Sequence, residues 1–205
     1  MSSLFISGTD TGVGKTIVSA LLTLNLGLVY WKPIQSGLDE ETDTEFVKRV
    51  TKLPDNHFIS ERFRLKRPRS PHESAQAEGI TIHATDFSLP KTESKKLLIE
   101  GAGGLLVPIN NEFYMIDLIK QLQSSVILVC RTQLGTLNHT LLSLEALKSR
   151  NIPVMGLILN GLKNSENEKS LEKLSYAPIL GHVEIMNEVN TTSLTQAFKI
   201  INLPF

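Results

Sequence analysis

The residues with the plainest chemical meaning lie near the start of the chain. Gly8-Thr9-Asp10-Thr11-Gly12-Val13-Gly14-Lys15-Thr16 follows a short apolar run, Leu4-Phe5-Ile6-Ser7, and precedes a helical apolar pattern at Ile17, Val18, Ala20, Leu21, Leu22 and Leu24. Glycine lets backbone N–H groups close around phosphate oxygens, and the helix behind adds the positive end of its dipole. Strand, glycine-rich loop and Gly-Lys-Thr before a helix make the phosphate loop of a nucleoside triphosphatase. Lys15 then reaches the β- and γ-phosphates, and the Thr16 hydroxyl ligates Mg²⁺. Thr9 stands where the common Gly-x4-Gly-Lys-Thr spacing has its first glycine, which comes one residue earlier as Gly8. A glycine-rich turn that binds nothing is the plain alternative, and the strand before and helix after argue against it.

Further chemistry-bearing residues recur at the ends of apolar runs. Leu28-Val29-Tyr30-Trp31 reads as a buried strand that delivers Lys32 and Pro33 at its carboxyl end, with Ser36-Gly37 just beyond. Catalytic groups of open α/β sheets gather at such ends, and Pro33 fixes the backbone there. Lys96-Leu97-Leu98-Ile99-Glu100 is a second strand, and it runs into Gly101-Ala102-Gly103-Gly104. An acidic residue at a strand tip, beside small residues that let a nucleotide approach, suits Mg²⁺ opposite a phosphate loop. Asp43 reads from sequence alone as first-turn charge or a cap of a helix over 39–52. Gly135-Thr136-Leu137-Asn138 opens another helix and offers free backbone N–H groups to an anion. Asn160-Gly161 closes a strand over 153–159, where Asn160 is either a turn residue or a base-reading amide.

The elements that position these residues alternate between strand and helix. Beyond those named, the pattern predicts helices over 115–123, 135–150, 165–175 and 192–201, and strands over 125–130 and 179–183. That alternation implies a single α/β domain over residues 1–205, with a mostly parallel, doubly wound sheet flanked by helices. Ser125-Val126-Ile127-Leu128-Val129-Cys130 has the continuous apolar character of a strand covered on both faces, so Cys130 reads as core. Residues 54–92 read as irregular, with one short helix from His72 to Glu78.

Composition narrows the partners. The 205 residues hold 21 Lys plus Arg and 21 Asp plus Glu, for zero formal net charge. Nucleic acid is then not an expected partner, because phosphate-backbone affinity needs clustered positive charge. The one basic cluster, Arg62, Arg64, Lys66, Arg67 and Arg69, alternates with Phe63 and Leu65 like a solvated strand or loop face. A single cysteine fits a reducing compartment. No signal peptide is visible and no apolar run approaches the roughly 20 residues of a membrane span, so a cytoplasmic location is expected.

Gly8 to Thr16, Lys32-Pro33-Ile34-Gln35-Ser36-Gly37, Ser70-Pro71-His72, Glu100 to Gly104, Leu134 to His139 and Asn160 resemble, in order and over nearly the whole chain, the motif series of the dethiobiotin synthetase family. The resemblance implies a homodimeric, ATP-dependent carboxylase in which 7,8-diaminononanoate, CO2 and ATP give dethiobiotin, ADP and phosphate. It makes Gly12, Val13, Gly14, Lys15, Thr16 and Ile17 the phosphate cradle and gives Mg²⁺ to Thr16, Asp43 and Glu100. It assigns Lys32 and Lys15 to catalysis and Thr11 and Ser36 to the substrate. Leu134, Gly135, Thr136, Leu137 and Asn138 become a substrate site offered by the neighbouring subunit. Gly101, Ala102 and Gly103 line the nucleotide, Asn160 and Gly161 belong to the adenine pocket, and Val183, Glu184, Ile185 and Glu188 are later base or ribose contacts.

Two departures stand out. Some members carry an acidic residue where this chain has Gly12, and the frequent Gly-x-Ile-Pro is replaced by Gly181-His182-Val183-Glu184. A partitioning-type ATPase switch is the rival reading, but it usually carries an extra lysine early in the phosphate loop and residues 9–13 contain none. A cobyrinic-type amidation enzyme would need a glutaminase domain, for which 205 residues leave no room.

Overall fold

The computed structural model describes residues 3–92 and 96–204. In chain order the elements are β1 (Leu4–Gly8), α1 (Lys15–Leu26), β2 (Val29–Trp31), β3 (Ile34–Ser36), α2 (Asp43–Thr51), β4 (Phe58–Ile59), β5 (Phe63–Leu65), α3 (Pro71–Ala77), β6 (Leu97–Gly104), α4 (Met115–Gln121), β7 (Ser125–Arg131), α5 (Thr136–Ser149), β8 (Val154–Asn160), α6 (Ser165–Leu174), β9 (Ile179–Val183) and α7 (Thr191–Phe198).

Runs that are apolar at every position become inner strands, because both faces of a parallel sheet are covered. All five residues of β1 are buried, and β1 pairs in parallel with β6 on one side and β7 on the other. Among the described residues the sheet has seven strands in the order β4-β2-β6-β1-β7-β8-β9, and β3 and β5 form a separate parallel pair. The expected doubly wound, parallel α/β architecture is what the chain forms.

Alternation along each strand divides the core in two. Leu4, Ile6 and Leu98 pack against Val18, Leu21 and Leu22 of α1, Val47 and Val50 of α2 and Leu194 of α7. Phe5 and Ile99 point the other way, toward Ile116 and Ile119 of α4, Leu144 of α5 and Leu171 of α6. Each such fully buried side chain is worth about 1.5–3 kcal/mol, so the two layers hold the strand ends in fixed register. Cys130 belongs to the second layer, as expected, and burial pushes its thiol up to about 12. Among the described residues no helix is long and apolar enough to cross a membrane.

Residues 54–92 are more ordered than their sequence suggests. They hold β4, β5 and α3, with single 3-10 turns at Asp55–His57 and Ala84–Asp86. β4 has two residues, which is too short for a period to show. The helix expected at 39–52 starts at Asp43, because Thr42 and Glu45 close a capping box around its first turn. Within the basic cluster, Arg62 and Arg64 form the solvated face expected: they are exposed on either side of Phe63 and pair with Asp86 and Glu61.

Candidate active site

The loop between β1 and α1 turns through left-handed backbone at Gly12 (φ 70°) and Gly14 (φ 94°). Gly14 is required twice over, since a Cβ there would lie 2.1 Å from Asn160 Nδ2. That contact is close because Asn160, at the end of β8, donates its amide to the Val13 carbonyl at 3.0 Å. Asn160 therefore braces the phosphate loop. Lys15 folds over the loop and donates to the Asp10 carbonyl at 3.0 Å. Burial is the main cause that lowers its pKa to about 8, against the opposing pull of Glu100.

Next to the loop, two carboxylates converge on one hydroxyl. Thr16 Oγ1 lies 2.8 Å from Asp43 Oδ1 and 2.9 Å from Glu100 Oε1. Lys32 Nζ lies 3.1 Å from the same Glu100 oxygen and contacts Asp43 Oδ2 as well. The sheet explains the meeting: β2 and β6 pair Tyr30 with Leu98 and Trp31 with Ile99, and one further step sets Lys32 beside Glu100. Asp43 reaches the cluster from the first turn of α2, where its own N–H points to Gln35 Oε1 at 3.3 Å.

Charges decide the protonation of this cluster. Burial alone would strip the proton from Lys32, but Glu100 and Asp43 outweigh it and raise its pKa. Burial likewise opposes the Asp43 carboxylate, and Lys32 more than offsets that, holding Asp43 below its ordinary range. Lys32 is an ammonium and Asp43 a carboxylate in this arrangement. Glu100 is fully buried, and its second oxygen accepts from the Tyr30 hydroxyl at 3.0 Å.

Two cavities flank the phosphate loop. One of about 680 Å³ is lined by Lys15, Thr16, Lys32, Ser36, Asp43 and Glu100, among others. The other, of about 370 Å³, lies between Gly12 and Val13 on one side and Arg131, Asn160, Gly161 and Ile185 on the other. Thr11 and Gly12 border both, so a triphosphate laid along the loop would join them.

Residues 2–193 match the family model described as an AAA domain. The chain is 45% identical over 197 residues to the ATP-dependent dethiobiotin synthetase of Brucella melitensis biotype 2, covering 96% of this chain and 92% of that protein. It is 43% identical over 195 residues to the enzyme of the same name from Rhodopseudomonas palustris, covering 95% and 91%. The chain belongs to the dethiobiotin synthetase family. Among solved structures, a ParA family ATPase from Chlorobium tepidum superposes with a TM-score of 0.54 at 14% identity, covering 96% of this chain and 90% of that one. A putative plasmid partition protein of Borrelia burgdorferi bound to AMPPNP does so with 0.53 at 14%, covering 100% and 91%. At that identity the likeness is one of fold, which this synthetase family shares with partitioning ATPases.

Of the residues singled out in this synthetase-family chain, Thr11, Gly12, Gly14, Lys15, Thr16, Ile17, Lys32, Ser36, Asp43, Glu100, Ala102 and Gly103 line the larger cavity. Val13, Asn160, Gly161 and Ile185 line the smaller. Gly101 faces the core instead, where a Cβ would lie 2.8 Å from the Phe5 ring. Val183 is also buried, its carbonyl accepting from the Gly161 N–H at 3.0 Å. Glu184 and Glu188 are exposed and border neither cavity.

Leu134 to Asn138 also stand apart from both cavities. Leu134 is fully exposed, Gly135 is left-handed and Thr136 is buried with its hydroxyl on the Arg131 carbonyl at 2.5 Å. Sequence reasoning missed Tyr30, Gln35, Arg69 and Arg131. Tyr30 shares a strand face with Lys32, a signal that period-2 alternation carries. Arg131 ends β7 and grips Asp10 Oδ2 at 2.8 Å, and Arg69, from the basic cluster, lines the larger cavity.

The oxygen set at Thr16, Asp43 and Glu100 fits a hard divalent cation. Thr16 Oγ1, Asp43 Oδ1 and Glu100 Oε1 converge, and although Lys32 also donates to both carboxylates, carboxylate oxygens keep further lone pairs for a cation. Mg²⁺ takes one or two carboxylates and completes its shell with phosphate oxygens and water, which two carboxylates beside the phosphate loop allow.

Proposed function

We propose that this chain is a dethiobiotin synthase: it carboxylates 7,8-diaminononanoate with CO2 and closes the cyclic urea at the expense of ATP. The observation that carries the reading is the family match over nearly the full length, joined to the convergence of Lys15, Thr16, Lys32, Asp43 and Glu100 on one cavity.

The reaction begins when one substrate amine adds to CO2 and loses a proton, giving a carbamate. A carbamate oxygen then attacks the γ-phosphorus, and ADP leaves. The second amine attacks the carbonyl carbon of the resulting carbamic-phosphoric anhydride and gives up a proton to solvent, phosphate departs with the C–O electron pair, and the ring closes. The protein's task is to place the reactants and offset negative charge. Loop N–H groups and Lys15 hold the phosphates, while Lys32, kept cationic by its carboxylates, faces the carbamate and the moving phosphoryl group. Thr16, Asp43 and Glu100 hold Mg²⁺, which when bound withdraws charge from phosphate oxygens. The Ser36 hydroxyl is buried, lines this cavity and has no hydrogen-bond partner among the described residues, which supports its use on the substrate.

Residues 1–205 act as one domain and work as a cytoplasmic homodimer in this reading. The substrate carboxylate lies several methylenes from its amines, so its site must lie away from the ATP. Leu134, Gly135, Thr136, Leu137 and Asn138 open α5 away from the cavities of their own chain, which supports their supplying that site to a neighbour. Asn160 and Gly161 border the base.

The test is phosphate release from ATP with and without diaminononanoate and bicarbonate. Release that requires both supports the synthase. Release indifferent to the diamine returns the chain to the switch reading.

A further inference from the structure

We infer that Tyr30 is a positioning residue for Glu100, which reserves one carboxylate oxygen so that the other alone faces the cation and Lys32. The inference rests on the proposed Mg-ATP site and goes beyond it.

Tyr30 is fully buried in the middle of β2, and Glu100 is fully buried in β6. Parallel pairing of Tyr30 with Leu98 puts Glu100 on the same sheet face, two residues further along. A tyrosine leaning along its strand spans that diagonal, and the hydroxyl donates to Glu100 Oε2 at 3.0 Å. Its ring is set edge-on against Phe58 in β4, with centroids 6.4 Å apart and planes at 62°. The ring therefore has little freedom to swing away.

The two oxygens of Glu100 thus have separate partners. Oε1 meets Thr16 Oγ1 at 2.9 Å and Lys32 Nζ at 3.1 Å, while Oε2 has the phenol. A phenylalanine would fill the same core volume, so packing does not call for the hydroxyl. Buried without a partner, Oε2 would pull the carboxylate round toward Lys32 Nζ, which already donates to Oε1. Glu100 would then present a fork to Lys32 in place of a single oxygen to the cation.

Tyr30→Phe tests this with two readouts. Mn²⁺ binding to the ADP complex, followed by electron paramagnetic resonance, should weaken about tenfold, the size expected for one lost hydrogen bond to a buried charge. The Mg²⁺ concentration for half-maximal turnover should rise by the same factor, with kcat at saturating Mg²⁺ and KM for the diamine near the parent's. Phe58→Leu loosens the ring packing but keeps the hydroxyl, and should lower Tm while costing clearly less Mn²⁺ affinity than Tyr30→Phe. Parent-like Mn²⁺ affinity in folded Tyr30→Phe overturns the inference, as does a Phe58→Leu protein that loses affinity equally. A measurement on the parent sequence covers poor folding of the variant. The chain has three tyrosines, so 3-fluorotyrosine labelling, with Tyr114→Phe and Tyr176→Phe to assign signals, isolates the Tyr30 resonance. That resonance should shift when Mg²⁺ joins the ADP complex, and a resonance indifferent to Mg²⁺ overturns the coupling. The Mn²⁺ and fluorine readouts need no diamine, so they stand apart from the choice of substrate.

Discussion

Lys32 and Glu100 face each other across adjacent parallel strands, Nζ 3.1 Å from Oε1, on the carboxylate that also meets the Thr16 hydroxyl. In the absence of a metal the lysine is therefore the counter-ion of the cation site. Lys32→Ala leaves Asp43 and Glu100 buried beside each other without it, and breaking such a pair costs about 3–5 kcal/mol. The expected result is a lower Tm without Mg²⁺ that recovers substantially on adding Mg²⁺, because the divalent ion replaces the missing charge. ATP binding should persist in calorimetry while turnover falls by about 100-fold or more, the scale of losing a charge that stabilises the transition state. Lys15→Ala should instead lose ATP affinity together with turnover, since its group meets phosphate in ground and transition state alike. Turnover within about tenfold of the parent for Lys32→Ala would remove Lys32 from the chemistry.

Glu100→Gln keeps the shape of the side chain and removes the charge that a hard cation requires. Titration of activity against Mg²⁺ should show a half-maximal concentration raised by about tenfold or more, the effect of losing one close charge. The far-ultraviolet dichroism should match the parent, because the amide still fills the pocket between Tyr30 and Thr16. An unchanged Mg²⁺ requirement would make Glu100 a structural counter-ion of Lys32 and nothing more.

The outline of this site was legible because its main parts are local in sequence. The phosphate loop occupies nine consecutive residues, and Lys32 and Glu100 each end an apolar run. From its own surroundings in sequence Asp43 reads as first-turn charge or a cap, and only the family resemblance gave it Mg²⁺, since its approach to Thr16 depends on where α2 sits. Asn160 shows the limit clearly: its amide goes to the Val13 carbonyl, 147 residues away, and neither the turn nor the base-reading alternative anticipated a brace. Tyr30 was read as strand filler because an apolar run hides one hydroxyl. β4 was missed because two residues carry no period, although it supplies Phe58, which steadies Tyr30, and the alternation over β5 left it between strand and loop.

The Lys15 pKa of about 8 in the free protein gives nucleotide binding a pH dependence of definite sign. Below that value the group is an ammonium before nucleotide arrives. Above it the free protein holds a neutral amine, and phosphate charge restores the proton on binding. ADP binding at pH 9 should therefore take up close to one proton, and at pH 6.5 almost none from this group. Affinity should fall as pH rises through the same region, by up to tenfold per pH unit. Calorimetry in two buffers of different ionisation enthalpy reads the proton directly. Equal apparent enthalpies at pH 9 would show that Lys15 is already charged in the free protein.

The place where α5 begins bears on how two chains assemble. Gly135 has φ 93°, and the exposed Leu134 and Asn138 flank it outside both cavities of their own chain. Proline fixes φ near −65°, so Gly135→Pro must break this turn and the helix start that offers N–H groups to a carboxylate. If each site takes its catalytic cleft from one chain and this helix start from another, Gly135→Pro and Lys32→Ala damage different halves. Each variant alone should be nearly inactive with diaminononanoate. In mixed dimers, however, one of the two sites receives both intact halves, and activity should return to about a quarter of the parent's when chains exchange at random, since half the dimers are mixed and each carries one good site. Parent activity should also fall on dilution below the dimer dissociation constant. The control is a mixture of Lys32→Ala with Lys15→Ala, whose lesions share one cleft and should not complement. Failure of demonstrably mixed Gly135→Pro and Lys32→Ala dimers to regain activity would place the carboxylate site within a single chain.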